Sequence, residues 1–571
     1  MSLVEEGEET GGLRIPPRPA DQVMRLRRMG SAFPTRLSFM RSLTRRMSGE
    51  GWRFEKKRFE LDENGFGTSV FSADTGKRVY SLIIFTSDLP PEKRTDRVIA
   101  EAWDATFTLF DGEPAEADIE RLSQNVPKQE AGRCLASELV LGRANKSLRL
   151  FAHVVERLAA GEQPDSEQIR QVGYLMRTTA VYGNGKFGIS DRRHISDRDE
   201  VRGSFQVEMI AVYLFRWFTL EMVDHVAKAR GGASATGLAP ELRRYLGVGN
   251  STGLGMAPFL IGHPGLVNRW VSSKETALAQ VRSLASADDG ATGRFLGLLD
   301  RAISHIGEWE VEDEEQMARI RKLRHELPQL RQWVEERGDP GREPWDRIYR
   351  FAEAELSVEG QELVVSLLID THGALVDALA DHMFDDETPS FDATMTIDSL
   401  QRLIDRGYGW ALSADPGEGS RYWYYSEEKL EPRFGERPEA LEPRYEMPVT
   451  VLQDVQNLYS TLQGEDAAQS LAEFLMRCPE YRYLVQRIQT AVDLPYAEIH
   501  DSLIGSDVRP LDLLRFKLAF FGASKFDPKS DLWTRINLYQ GAPLPKQLEG
   551  ANVEDWAFPT FSRQAFSGKT G

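Results

Sequence analysis

Between residues 51 and 111 apolar side chains recur at every second position, and beyond about residue 115 they recur at every third and fourth. The first spacing belongs to strands with one buried face, the second to amphipathic helices. A chain that changes period once, early, and then keeps the helical one is expected to be α+β and predominantly α-helical, with a small antiparallel sheet near its N-terminus. The strand residues are Trp52, Phe54 and Phe59, then Val70 and Phe71, then Val79, Leu82, Ile83 and Phe85, and finally Trp103 to Phe110. Asn64-Gly65 and Thr75-Gly76 are turn signals that join neighbouring antiparallel strands, and one helix is expected over 96–102.

The helical period starts with Leu148, Phe151, Val154, Val155 and Leu158, followed by Ile169, Val172, Leu175 and Met176, which read as one helix over 168–181. Further helices are expected over 205–230, 274–306, 312–337, 360–383, 448–462, 466–477 and 511–520. Two aromatic, charged islands, 421–437 and 521–539, alternate enough to include strands, forming a second small sheet or pairing with the first. The chain divides on this reading into a loose tail (1–20), a basic arm (21–50), a β domain (51–115), a central helical domain (116–340) and a C-terminal helical region (341–571).

With 571 residues the chain exceeds the size at which single cores stop growing, so two to four domains are expected. Its 88 acidic side chains outnumber the 70 basic ones, and the formal charge of -18 repels phosphate backbones, so nucleic acid is not an expected partner. Two cysteines, Cys134 and Cys478, are too few for a disulfide framework or a cysteine zinc cluster and suit a reducing cytoplasm. The acidic, polar start of the chain is unlike an export signal. The most apolar stretch, 209–226, carries Arg216, Glu221 and Asp224, and so reads as a buried helix and not a membrane span.

Chemistry is expected to centre on two glycine-rich segments, 182–194 and 247–263. The first matches G-x-G-x-x-G through Gly183, Gly185 and Gly188. A dinucleotide fingerprint needs a strand before the loop and an apolar helix after it; the expected helix over 168–181 and the polar run after Gly188 argue against one. Glycines that admit a ligand close to the backbone, beside Lys186, Arg192, Arg193 and His194, instead suit an anion-binding loop. The alternative is a solvated loop in which Asp191, Asp197 and Asp199 pair with those arginines.

The second segment contains G-x-S-x-G with Ser251 in the nucleophile position, but no alternating strand-helix series surrounds it. Asn250, Ser251 and Thr252 are good N-cap residues, and a helix starting near Leu254 would make a helix-terminus anion site with the backbone of Asn250, Thr252 and Gly253. The alternative is a tight turn in which the glycines serve close packing. His194, His225 and His263 are candidate proton carriers if they converge.

For metals the only cluster is Asp370, His372, Asp377, Asp381 and His382, read as a solvated acidic helix face; no metal is expected. In the arm, Arg25, Arg27, Arg28, Arg36, Arg41, Arg45 and Arg46 alternate with Leu, Phe and Met, and either dock on an acidic partner or second copy of the chain, or clamp onto the chain's own acidic body. Lys525, Asp527, Lys529, Asp531 and Arg535 form a mixed-charge set that could cover a ligand from outside.

The favoured reading is an enzyme acting on a small carboxylate- or phosphate-bearing metabolite. Arg177, Lys186, Arg192 and Arg193 neutralise the anion, and the backbone of Gly183, Gly185, Asn250, Thr252 and Gly253 holds it. Tyr182, Lys186 or His263 serves as acid or base, with Ser251 as polar contact or nucleophile. Lyase, hydrolase, isomerase and cofactor-dependent chemistry all stay open, and no particular cofactor is implied. The rivals are a non-catalytic assembly protein that uses the basic arm, and a nicotinamide- or flavin-dependent oxidoreductase, which requires the helix before Gly183 or Gly247 to be absent.

Overall fold

The computed structural model describes residues 15–30, 36–88, 103–127, 135–183, 195, 197–202, 205–253, 262–288, 290–336, 343–384, 389–415, 423–425, 432–434, 446–447, 452–501, 510–530, 533–548 and 556–561. The strands are β1 (Arg53–Leu61), β2 (Gly67–Asp74), β3 (Val79–Thr86), β4 (Ala105–Asp111), β5 (Glu138–Lys146), β6 (Tyr174–Gly183), β7 (Gly247–Gly253), β8 (Trp423–Tyr425), β9 (Pro432–Phe434), β10 (Glu446–Met447), β11 (Phe526–Ser530) and β12 (Trp533–Leu538).

The expected small sheet is in fact large. Nine strands form one mixed sheet in the order β1-β2-β3-β4-β5-β6-β7-β12-β11, and only β6 and β7 run parallel. The first four strands lie where the period-two pattern puts them, and their turns follow the expected chemistry. Asp62 Oδ1 accepts the N–H groups of Asn64 and Phe66, with Gly65 at φ +84°, and Asp74 Oδ1 accepts the N–H of Gly76 at φ +80°.

What the spacing hid is the rest of the sheet. The helix expected over 168–181 ends at Val172, because Gly173 takes the left-handed conformation (φ +74°) and caps it, and the chain leaves as β6. The aromatic islands realise both expected alternatives: β11 and β12 complete the large sheet, whereas β8, β9 and β10 make a separate three-stranded one. The helix expected over 96–102 lies outside the described residues.

Across one face of the sheet lies the helix Gln206–Gly231, 26 residues long and buried on nearly every side. Phe215 stacks on Phe107 of β4 with ring centres 4.6 Å apart, and Phe218 meets Phe71 of β2 edge-on at 5.8 Å. Near its middle Arg216, 1% exposed, donates to the main-chain carbonyls of Leu246 (2.6 Å), Arg244 (2.6 Å), Arg243 (3.3 Å) and Ala542 (2.8 Å). Burial pulls its pKa down to about 10. This one side chain ties the approach to β7 and the segment after β12 to the central helix. Among the described residues no single helix is long and apolar enough to cross a membrane.

The helices Pro264–Arg282, Ala291–Gly307, Glu314–Glu336, Pro344–Glu355 and Val358–Thr371 extend the same core. The first two replace the single helix expected over 274–306, and a break at His372 splits the one expected over 360–383. A second core, with Ile397, Ile404, Leu458, Phe474 and Ile488, lies among the helices Ile397–Leu412, Leu452–Leu462, Leu471–Arg477 and Arg482–Ala491.

The basic arm clamps onto the chain's own body. Arg18 makes paired bonds to Glu275 (2.8 Å each) and reaches Glu362 (2.8 and 3.2 Å). Arg28 (3.1 Å) and Lys274 (3.0 Å) converge on the same Glu362. Arg41 pairs with Asp370 at 2.6 Å, and Arg36 (2.5 Å) and Arg45 (3.3 Å) pair with Asp377. The acidic helix face read as solvated is therefore the arm's docking surface: Asp370 is buried with Arg41, while Asp381 stays exposed near Arg46.

Candidate functional site

Two adjacent parallel strands present their carboxyl ends on the same side of a sheet, and in open sheets the space beyond such ends is where ligands bind. β6 and β7 pair in parallel with Tyr174 opposite Gly247, Arg177 opposite Gly249 and Thr178 opposite Asn250. Between them the chain passes through the helices Gln206–Gly231 and Pro240–Tyr245, a β-α-β crossover. β6 ends at Gly183, where the first glycine-rich segment starts, and β7 ends at Gly253, inside the second. The two segments thus leave neighbouring strands in the same direction.

The alternation of the sheet assigns faces. Thr178, Met176 and Val248 point toward the central helix and are buried there. Arg177 and Ser251 occupy the opposite face, with Cα atoms about 8 Å apart from strand rise and spacing. Over β2 to β5 that face is apolar, where Val70, Ile83, Phe110 and Leu141 pack under Ile119 and Leu122 of the helix Glu116–Asn125. From β5 onward it turns polar: Arg143 on β5, Arg177 on β6, Ser251 on β7 and, opposite Ser251 in register, Arg535 on β12.

Arg177 is 6% exposed and Ser251 2%. The Ser251 hydroxyl has no hydrogen-bond partner, although it is buried. Arg143 lies over the Trp103 ring at 4.1 Å, and Asp527, opposite Arg535, pairs with Lys529. Three guanidinium groups and a hydroxyl on four neighbouring strands are a donor set suited to a carboxylate or phosphate. Asn250 belongs to the other face, where its amide donates to Thr178 Oγ1 (2.8 Å), which in turn donates to the Gly249 carbonyl (3.2 Å).

The G-x-S-x-G match is not a nucleophile elbow. Ser251 sits in extended backbone of β7, and Thr252 and Gly253 continue the strand after it. Asn250, Ser251 and Thr252 are strand residues, and the helix expected near Leu254 lies outside the described residues. Gly249 serves close packing, since a Cβ there would lie 2.7 Å from the Tyr174 ring. Tyr182 and Gly183 are backbone members of β6, and Thr252 and Gly253 of β7. Gly185, Lys186, Arg192, Arg193 and His194 lie outside the described residues.

The histidines do not converge as a group. His263 precedes the helix Pro264–Arg282, while His225 bonds the Asp62 carbonyl at the other end of the central helix, about 28 Å along its axis from Gln206. The strand before Gly183 meets one requirement of a dinucleotide fingerprint. The other requirement, a helix opening at the glycines, falls on residues 184–194, outside the described residues; the next long helix among the described residues starts at Gln206.

Sequence reasoning missed Thr178 and Gln206. Gln206 opens the central helix, is fully buried, and both polar atoms of its amide lack a partner. Phe205 before it takes φ +66°, and no side chain caps the helix. Among the described residues no group of three His, Cys, Asp or Glu is placed to hold a metal ion. Searches of protein-family models, of curated proteins and of solved structures find no match to this chain.

Proposed function

We propose that the chain is an enzyme that binds a small carboxylate- or phosphate-bearing metabolite over the face of β5, β6, β7 and β12 that carries Arg143, Arg177, Ser251 and Arg535. The observation that supports this most is the row of three arginines across adjacent strands of a chain with formal charge -18. Planar guanidinium groups presented in a row match the paired oxygens of a carboxylate or phosphate. The buried Ser251 hydroxyl supplies a neutral donor on the strand between Arg177 and Arg535.

The site moves from a helical pocket, as the sequence suggested, to a sheet face, and its substrate class stays the same. The rival assembly role for the basic arm has fewer cations to draw on, because Arg28, Arg36, Arg41 and Arg45 pair with Glu362, Asp370 and Asp377 of the same chain. The test is a thermal-shift panel of inorganic phosphate, citrate, malonate and succinate on the wild type and on Arg535→Gln. At least one anion at a hundred times its Kd should stabilise the wild type by about 2.7 kcal/mol, and Arg535→Gln should lose most of that response. If no anion acts, or the variant responds like the wild type, the reading fails.

A further inference from the structure

A cluster of polar and aromatic side chains lies where β6 and β7 begin. Lys525 precedes β11 and is partly buried, and its carbonyl accepts the N–H of Asn537 on β12. Its ammonium lies 3.4 Å from the hydroxyl of Tyr245, which leads into β7, and forms no ion pair among the described residues. Phe561 meets Tyr245 edge-on at 4.5 Å, and Arg170, on the helix leading into β6, lies 5.8 Å from the Phe561 ring. Arg170 is itself engaged by Glu167 (2.5 Å) and Glu308 (3.5 Å), which keeps those carboxylates from pairing with Lys525. Nearby, the buried Asn537 Oδ1 and Gln540 Nε2 have no hydrogen-bond partner. The two ring nitrogens of His305 lie 3.1 Å from the carbonyls of Ser524 and Pro559, and the one N–H of the neutral ring donates to one of them.

We propose that Lys525 is a nucleophilic amine that condenses with a small aldehyde or ketone at the amino ends of β6 and β7, with Tyr245 beside it as proton donor. Charged lysines that are mostly buried normally find a carboxylate; this one has a phenol and an aromatic wall, the surroundings that favour a free amine. Burial, opposed by Glu308 and assisted by Arg170, lowers its pKa to about 8, while burial raises that of Tyr245, so the phenol keeps its proton at neutral pH. The nitrogen lone pair forms a C–N bond to the carbonyl carbon as the C=O π pair moves to oxygen. That oxygen takes one proton from Tyr245 and a second from the nitrogen and leaves as water with the C–O bonding pair, while the nitrogen's other proton restores the phenol and the nitrogen lone pair completes the C=N bond. The product is an imine. The Gln540 Nε2 group, without a hydrogen-bond acceptor, suits the oxygen of such a carbonyl compound.

Propanal with sodium cyanoborohydride tests this directly on the intact chain, because the hydride reduces the imine to a stable secondary amine that peptide mass spectrometry locates. The free-amine fraction at pH 7 rises roughly two- to three-hundredfold when a pKa falls from the usual lysine value to about 8. Lys525 should therefore be labelled roughly ten- to a hundredfold faster than the exposed Lys77 and Lys322, with a rate midpoint near pH 8, and Tyr245→Phe should slow labelling without moving that midpoint. Labelling of Lys525 no faster than of Lys77 and Lys322, or a midpoint at the usual lysine value, overturns the proposal. Loss of labelling in Lys525→Arg, with Lys77 and Lys322 unchanged, confirms the assignment of the adduct.

Discussion

Replacing Glu362 with Gln isolates the contact on which the N-terminal arm depends. The carboxylate is fully buried and receives Arg18, Arg28 and Lys274 at 2.8 to 3.1 Å. Arg18 keeps Glu275 in the variant, and Arg28 keeps the Gln361 side chain (3.0 Å), but Lys274, with 7% of its side chain exposed, loses its charge partner. Removing one member of a buried ion pair costs about 3–5 kcal/mol. The Gln oxygen still accepts one bond, so about 3 kcal/mol is expected. Burial alone would raise the Glu362 pKa, but Arg18, ahead of Lys274 and Arg28, holds it far below the usual carboxylate range. A depressed carboxylate contributes its full stability above the unfolded value, roughly pH 4.3, and loses it as the pH falls toward the folded value. The gap between wild type and Glu362→Gln should therefore be constant from pH 5 to 7 and narrow below pH 4. Urea unfolding over that range measures the gap, and limited trypsin digestion, which should cut faster among Arg25, Arg27 and Arg28 in the variant, reports release of the arm. Adding Lys274→Met to the variant should recover part of the loss, since no lone cation remains. A gap under about 0.5 kcal/mol at pH 7, with unchanged tryptic protection, would refute the clamp.

Ser251→Ala should leave stability unchanged or raise it by about 1 kcal/mol, because it removes a buried hydroxyl without a partner, while weakening the response to the active anion; a clear loss of stability instead would make the hydroxyl structural. Arg216→Met should cost at least about 3 kcal/mol in chemical denaturation, as four main-chain carbonyls lose their donor, and a variant as stable as the wild type would contradict its role as a tie. Burial, aided by Lys525, lowers the pKa of His305 to about 3. Its neutral form then stabilises the fold fully above the unfolded value of about 6.5, and that contribution is lost as the pH falls through the window from there toward 3. His305→Gln should flatten this part of the pH-stability curve, and an identical slope in variant and wild type would show that another group is responsible.

The strands of the first hundred residues were legible because each has one buried face and a turn with its own chemistry, as at Asp62 and Asp74. β6 was not, for a specific reason. Ile169, Val172, Leu175 and Met176 keep helical spacing by coincidence across Gly173, where the chain changes from helix to strand. β7 carries no periodic signal at all, since Gly247, Val248, Gly249, Asn250, Ser251, Thr252 and Gly253 include a single apolar side chain; it is a strand because β6 and β12 pair with its backbone on either side. With both strands unread, their parallel pairing was out of reach, and so was the arginine face, whose members lie on four strands between residues 143 and 535. Arg177 and Ser251 were selected for their chemistry and do share that face. The basic arm and the acidic face around Asp370 were both visible as charge patterns, but only the fold shows that each is the other's partner.

The central claim is that an anion sits against the arginine face formed by β5, β6, β7 and β12. A crystal structure grown with the most stabilising anion of the panel tests it most directly. The account predicts anion density within hydrogen-bond distance of the Arg177 or Arg535 guanidinium or the Ser251 hydroxyl. An anion held elsewhere, with that face contacted only by the chain itself, would contradict it.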